Sequence, residues 1–250
     1  MATQADNWDQ HWSDFSSTAE IAPSTAYRRR LIEKLLAIKA PGDAVRILEI
    51  GSGTGSLAER FVRKYPNATF LGIDFSPTAV AMSARRVPSA TFVQRDLQVP
   101  ASDADHLTFG ATHAICSEVL EHLDTPATLI SNSTRYMAPG CRFVVTVPGG
   151  PVSAFHHHIG HRKHYTANEL RGLLSRMDFE VEFASGVGFP FFNVYMAALI
   201  WRGEKVSSQM AGEPGIALRG ASLAFKMLFR LNSMRAGWQI VAVGRYRGTP

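Results

Sequence analysis

The chain has 250 residues, 46% of them hydrophobic, with a net charge of +5, which allows one well-filled domain and excludes a fibrous or fully disordered chain. Its two cysteines, Cys116 and Cys141, each lie in an apolar run, which argues against a disulfide framework and for a reducing, cytoplasmic setting. The first residues hold no basic stretch leading into an apolar one, and no uncharged apolar run reaches about 18 residues, so neither a secretory leader nor a membrane span is expected.

Residues 1–24 are polar but carry Trp8, Trp12 and Phe15, aromatics that a disordered tail rarely keeps, and are read as a short helix docked on the body. Tyr27 to Ala40 predicts an amphipathic helix with Leu31, Leu35, Leu36 and Ile38 inward and Arg28, Arg29, Arg30, Glu33 and Lys34 mostly outward. Residues 1–40 thus form an N-terminal helical cap, ended by Pro41-Gly42-Asp43.

From Val45 the elements alternate. Strand 45–50 stops at three glycines in alternate positions, Gly51, Gly53 and Gly55, and a helix over 55–65 follows, with Leu57, Ala58, Phe61 and Val62 at helical spacing. Strand 68–73 leads to a helix over 77–86, with Ser76 as N-cap and Pro77 at its first position. Strand 90–95, a polar connection over 100–111 and strand 112–117 come next. Helix-like pieces cover 118–138 and are stopped by Pro139-Gly140, ahead of strand 141–147. Strands alternating with helices imply a parallel sheet with right-handed crossovers. The pattern then changes. A histidine-rich loop fills 154–165, Thr166 caps a helix over 167–177, and a strand runs from Phe179 to Ala184. Residues 188–235 read as mostly helical before a last strand, Trp238 to Tyr246.

A strand, a glycine turn and a helix hold a nucleotide-like cofactor at the carboxyl edge of a parallel sheet, because glycine permits positive φ and close backbone approach. The motif Leu48-Glu49-Ile50-Gly51-Ser52-Gly53-Thr54-Gly55 does not stand alone. Leu71-Gly72-Ile73-Asp74-Phe75-Ser76, Gln94-Arg95-Asp96-Leu97 and Ile115-Cys116-Ser117-Glu118-Val119-Leu120-Glu121-His122 follow it in order. By these four segments the chain resembles the class I S-adenosylmethionine-dependent methyltransferases, over roughly 45–185 and 238–246. In its strand-four motif it is similar to the ubiquinone-pathway-like small-molecule enzymes.

The resemblance implies an α/β, Rossmann-like doubly wound fold. Its seven-stranded, mostly parallel sheet would have the order 3-2-1-4-5-7-6, in a single domain over 1–250 with a helical insertion over 186–236. It also implies that Glu49, Gly51, Gly53, Gly55, Asp74, Phe75, Asp96, Leu97 and Cys116 hold S-adenosyl-L-methionine. Asp74 would accept the ribose hydroxyls and Asp96 the adenine amino group, Phe75 and Leu97 would sandwich adenine, and Glu49 would orient the methionine end. An NAD(P) oxidoreductase is a competing reading, but it wants glycine or alanine where Ser56 stands. A further alternative keeps the cofactor but serves as a partner-binding or nucleic-acid-binding protein.

If residues 118–122 are helical, Glu118, Glu121 and His122 share a face and make half of a divalent-metal site. In the similar enzymes a histidine after strand five completes such an E-x-x-E-H, and His161 is the matching residue. Mg²⁺ or another divalent cation held there would lower the pKa of an acceptor hydroxyl. His122, His161 and Glu118 are therefore the catalytic candidates. Five of the nine histidines fall within 156–164.

The insertion joins two strands that the family usually links by a short turn. It is rich in Phe191, Phe192, Tyr195 and Trp201 and carries most of the net charge through Arg202, Lys205, Arg219, Lys226, Arg230 and Arg235. It is read as a lid on an apolar acceptor, a peripheral contact with an anionic membrane, or a homodimer interface. Nucleic acid is disfavoured, because the basic residues are interleaved with aliphatics. The acceptor expected is a small, lipophilic molecule with a polar or anionic group, methylated on oxygen, with carbon or nitrogen as other possible targets.

Overall fold

Seven strands form one sheet in the order β3-β2-β1-β4-β5-β7-β6. The computed structural model describes residues 22–100, 108–202 and 216–248. The aromatic N-terminal segment and the polar connection after residue 100 lie largely outside these.

The elements in chain order are α1 (Pro23–Leu36), β1 (Arg46–Ile50), α2 (Ser56–Lys64), β2 (Thr69–Asp74), α3 (Pro77–Arg86), β3 (Thr91–Gln94), β4 (Ala111–Ser117) and α4 (Pro126–Thr134). Then come β5 (Met137–Pro148), α5 (Ala154–His158), α6 (Ala167–Arg176), β6 (Phe179–Val187), α7 (Phe191–Arg202), α8 (Ile216–Leu228) and β7 (Gln239–Tyr246). Short 3₁₀ turns cover Leu120–His122 and Phe229–Leu231.

Strands β1 to β5 are parallel, while β7 pairs antiparallel with both β5 and β6. The carboxyl ends of β1 to β4 therefore share one edge, with the reversal of strand order between β1 and β4. Alternate residues face opposite sides, as the period of two requires. Leu48, Ile50, Leu71, Ile73 and Val145 build one core layer. Ile47, Phe70, Ile115, Val144 and Val243 build the other, beneath α1 and the insertion.

Local chemistry sets the helix starts. The Ser76 hydroxyl accepts from the Ala79 amide at 3.0 Å, as an N-cap does. Thr166 and Glu169 form a reciprocal capping box at the start of α6.

Two expected elements shift. The first helix spans Pro23–Leu36 rather than Tyr27–Ala40, because Pro23 starts it and Ala37 turns left-handed at φ 53°. The helix-like pieces over 118–138 are a 3₁₀ turn and α4, but β5 starts at Met137 rather than 141, so Pro139-Gly140 lies inside that strand. Backbone pairing jumps from Ala111–Met137 to His113–Arg142, so the Pro-Gly pair is accommodated in an irregularity of the ladder.

Candidate active site

A cavity of about 520 Å³ opens at the carboxyl edge of β1 to β4. Its floor is the glycine turn. Gly51 has φ 73°, and a Cβ there would stand 2.4 Å from Val119 Cγ2, so only glycine fits. The Gly53 amide donates to Asp74 Oδ2 at 2.8 Å and the Ser76 amide to Asp74 Oδ1 at 3.0 Å. Asp74 thus ties the glycine turn to the end of β2, at the wall of the cavity.

Glu49, Gly51, Gly53, Asp74, Phe75, Asp96 and Leu97 all line the cavity. Leu97 is buried, while Phe75 is exposed at the rim. Asp96 is exposed and accepts the Gln98 amide at 2.8 Å, a turn contact that leaves its other oxygen available. Two expected residues do not reach the cavity wall. Cys116 is fully buried in the core within β4, and burial pushes its thiol well above the ordinary range. Gly55 caps α2 at φ 73°, and a Cβ there would meet Ser83 Cβ at 2.7 Å, so its role is close packing of α2 on α3.

Glu49 shows what the cavity is built to take. Its Oε2 is buried without a hydrogen-bond partner among the described residues. Burial, then the nearby Asp74 charge, raise its carboxyl well above the usual range. Such an oxygen calls for a cationic or N–H donor. The residues present fit S-adenosylmethionine, which would offer an ammonium to Glu49, ribose hydroxyls to Asp74 and a flat ring to Leu97 and Phe75.

The other end of the cavity departs from the helical expectation for 118–122. Glu118 is left-handed at φ 57°, and only Leu120–His122 winds into a 3₁₀ turn. Glu118 and Glu121 consequently diverge. Glu118 lines the cavity and accepts from Thr146 Oγ1 at 3.1 Å and Gln239 Nε2 at 2.9 Å, with Arg28 3.6 Å away. Glu121 is fully buried, and burial, then the Glu118 charge, raise its carboxyl. Ligand atoms of Glu121, His122 and His161 lie within 4.8 Å of one another, a group that excludes Glu118.

This fits Mg²⁺ poorly. One carboxylate and two imidazoles are a borderline donor set, whereas Mg²⁺ prefers oxygen ligands. His161 is driven down to about 2, by burial first and then by His122 and the other neighbours, so its ring stays neutral and is a poor base. His122 lines the cavity with Nδ1 3.1 Å from the Gly160 carbonyl, which makes Nε2 the proton-accepting nitrogen.

The histidine loop is fastened from below. The Arg162 amide donates to the Glu121 carbonyl at 2.8 Å, and the buried Tyr165 hydroxyl donates to the Leu120 carbonyl at 3.1 Å. Sequence reasoning missed Arg28, Arg29, Arg162 and Gln239. Arg28 and Arg29 were placed mostly outward, yet both line the cavity, and Arg29 donates to Ser56 Oγ at 2.7 Å. A strict helical wheel would have raised the question, since Thr25, Arg28, Arg29 and Ile32 share one face. Nothing in the sequence pointed to Gln239.

None of the described residues in 188–235 lines the cavity. The insertion instead backs α1 with an aromatic cluster. The Phe192 and Phe229 rings lie 5.2 and 5.3 Å from Tyr27, and Tyr195 and Phe225 extend the group. No described helix is long and apolar enough to cross a membrane.

Residues 48–143 match the family model described as a methyltransferase domain. A trans-aconitate 2-methyltransferase of Methylobacterium nodulans is 33% identical over 123 residues, covering 48% of this chain and 45% of that protein. A demethylmenaquinone methyltransferase of Thermus thermophilus is 32% identical over 135 residues, covering 52% and 57%. The chain thus spans about half the length of the curated relatives it matches. The solved phosphoethanolamine N-methyltransferase 2 of Haemonchus contortus superposes with a TM-score of 0.65 at 16% identity, over 98% of this chain and 59% of that one, a likeness of fold. The sheet order, the glycine turn locked by Asp74 and the matched segment agree in one respect: residues 48–143 are similar to a methyltransferase domain, set in a sheet of the same order as in the solved methyltransferases.

Proposed function

We propose that the protein binds S-adenosylmethionine through Glu49, Gly51, Gly53, Asp74, Phe75, Asp96 and Leu97 and methylates an oxygen of a small acceptor. The observation that carries this reading is one continuous cavity. It joins that residue set to a second polar end made by Arg28, Glu118, His122 and Arg162. When bound, the cofactor supplies an electrophilic sulfonium methyl. His122 Nε2 takes the acceptor proton. Glu118, held by Thr146 and Gln239, and Arg28 fix the acceptor's polar head. The protein's contribution is alignment and a deprotonated nucleophile.

The cavity wall combines Ile32, Val119, Leu123, Leu129 and Ile159 with these charged groups, which suits an acceptor with an apolar body and an anionic or oxygen-rich head. The test is mass-spectrometric. The protein is incubated with the cofactor and fractionated small-molecule extracts, and a product heavier by one CH₂ is sought. Cofactor binding without any such product would remove the catalytic reading and leave a cofactor-binding protein.

The insertion carries its own proposal, an anionic bilayer as partner. Trp201, Leu223, Met227 and Leu231 are each at least 60% exposed, and the exposed Arg230 and Arg235 flank them. Apolar side chains beside cations match the interfacial region of an anionic membrane.

A further inference from the structure

Past β3 the rim of the cavity is a short turn, and α4 holds it from behind. The Gln98 amide donates to Asp96 Oδ1 at 2.8 Å and the Val99 amide to the Asp96 carbonyl at 3.3 Å, so residues 96–99 are a tight turn closed on Asp96. Asp96, Leu97 and Gln98 line the cavity. The turn starts from a fixed point. The Arg95 amide donates to the Asp74 carbonyl at 2.8 Å, and the Arg95 guanidinium donates to the hydroxyl of the fully buried Tyr136 at 2.5 Å.

Side chains of α4 fasten the rest of the turn. Asn132 Nδ2 donates to the Leu97 carbonyl at 2.8 Å and to the Val99 carbonyl at 3.3 Å. Two carbonyls on one nitrogen fix which end of the carboxamide faces them and use both of its hydrogens. Thr125 Oγ1 donates to Gln98 Oε1 at 2.7 Å, and Gln98 Nε2 returns a bond to the Thr125 carbonyl at 3.4 Å. Thr125 stands at the N-cap of α4, where a threonine ordinarily accepts from the helix amides, yet its hydroxyl makes no capping bond. It serves the cavity rim instead of the helix.

We propose that α4 is the frame of the adenine pocket, with Asn132 as the positioning residue that holds the Asp96–Leu97 turn against the base and Thr125 as a second anchor through Gln98. With the cavity read as a site for S-adenosylmethionine, on which this assignment rests, Asp96 accepts from the exocyclic amino group and Leu97 covers one face of the ring. Asp96 can tell adenine from another purine only if its backbone is held, because a hydrogen bond weakens steeply once its geometry bends. Asn132, Thr125 and Tyr136 do not line the cavity, so each acts through the turn and not on the ligand.

The experiment is calorimetry on the full chain with S-adenosylhomocysteine and with its inosine analogue, in which oxygen replaces the exocyclic amino group. The parent should prefer the adenine ligand by roughly tenfold or more, as befits a hydrogen bond to a charged group. Asn132→Asp keeps the shape of the side chain and removes both donors. It should weaken the adenine ligand by roughly tenfold and bring the ratio of the two affinities close to one. Thr125→Val removes the Gln98 anchor without uncapping α4, and should move the ratio the same way by a smaller factor. Ser131→Ala, at an exposed neighbour on the same helix, should change neither affinity. Circular dichroism monitors the fold, and if Asn132→Asp does not fold, Thr125→Val decides alone. Equal losses for both ligands, with the ratio intact, would show that these residues only stabilise α4 and overturn the assignment. Unchanged affinities in the folded variants do the same, as does a parent that binds both ligands equally well. A parent that binds neither ligand overturns the reading of the cavity itself, and the assignment with it.

Discussion

The two ends of the cavity are assembled over different distances along the chain. At the cofactor end, Asp74 takes its hydrogen bonds from Gly53, 21 positions back, and from Ser76, two positions ahead, both backbone amides. At the acceptor end, Glu118 is held by Thr146 and by Gln239, 28 and 121 positions away, and faces Arg28 from α1. The first end is local turn chemistry at the tips of adjacent parallel strands. The second depends on α1 and on β7, the strand that follows the insertion. Damage to remote packing should therefore disturb the acceptor end and spare the cofactor end.

The strongest way to break this contrast is Phe229→Ala. Phe229 is buried against Tyr27, Phe192, Tyr195 and Phe225. Its loss should cost about 3–5 kcal/mol of stability, the range for truncating a buried aromatic. Denaturant unfolding measures this. Calorimetry on the folded variant should give a nearly unchanged cofactor affinity and a weakened acceptor response. Replacing the whole insertion by a short turn would strip the same cover from α1, so the point variant is the cleaner probe.

The complementary variant is Asp74→Ala. On the proposed role of Asp74 it would remove hydrogen bonds between a carboxylate and the ribose, worth about 1.5–3 kcal/mol for a charged partner, and should weaken cofactor binding by more than tenfold. It also releases the Gly53 and Ser76 amides, so the melting temperature should fall. An unchanged calorimetric affinity would contradict the role given to Asp74.

The same contrast explains what the sequence made legible. Strands β1 to β4 and helices α2 and α3 announce themselves through short apolar runs alternating with helical spacing, the Ser76-Pro77 start and the glycines. The strand-end acidic residues follow from that register. Legibility failed where tertiary contacts decide. Glu118 takes a left-handed backbone that no periodicity signals, which separates it from Glu121 and undoes the shared helical face. Gln239 and Arg28 become site residues only because β7 and α1 converge on the end of β4. Cys116 and Gly55 lie in the right motifs but pack inward, since a motif fixes the position of a backbone segment and not the direction of every side chain.

Glu49→Gln sharpens the comparison within the cofactor end. The native Glu49 carboxyl is raised above its unfolded value, by burial and then Asp74. Between those two values the folded state binds more protons than the unfolded state, so this group's contribution to stability falls as pH rises above the ordinary glutamate range. Glutamine removes the dependence. The ligand-free variant should melt higher than the parent at neutral pH and show a smaller loss between acid and neutral solution. It should also bind the cofactor more weakly, because glutamine gives the ammonium end no charge. A variant that melts lower at neutral pH would mean that Glu49 is held ionised by contacts worth more than its desolvation.

The smallest effect on the folded protein is expected from the outer face of α8. Leu223 and Met227 are four residues apart and largely exposed, so they stand on one face of the helix. The Leu223→Glu, Met227→Glu double variant replaces two solvent-facing apolar groups and breaks no described buried contact. Its stability should stay within about 0.5 kcal/mol of the parent, as is usual for surface positions, and its cofactor affinity should not move. Binding to vesicles is the readout that should change. The parent should co-sediment with liposomes containing anionic lipid and come off as salt rises, because each nearby cation adds on the order of 1 kcal/mol that ions screen. The double variant should lose this binding, through two fewer inserted side chains and two added negative charges. Retained co-sedimentation would show that this face is not the contact. Concentration-dependent self-association of the parent, abolished in the variant, would show instead that the face pairs two copies of the chain.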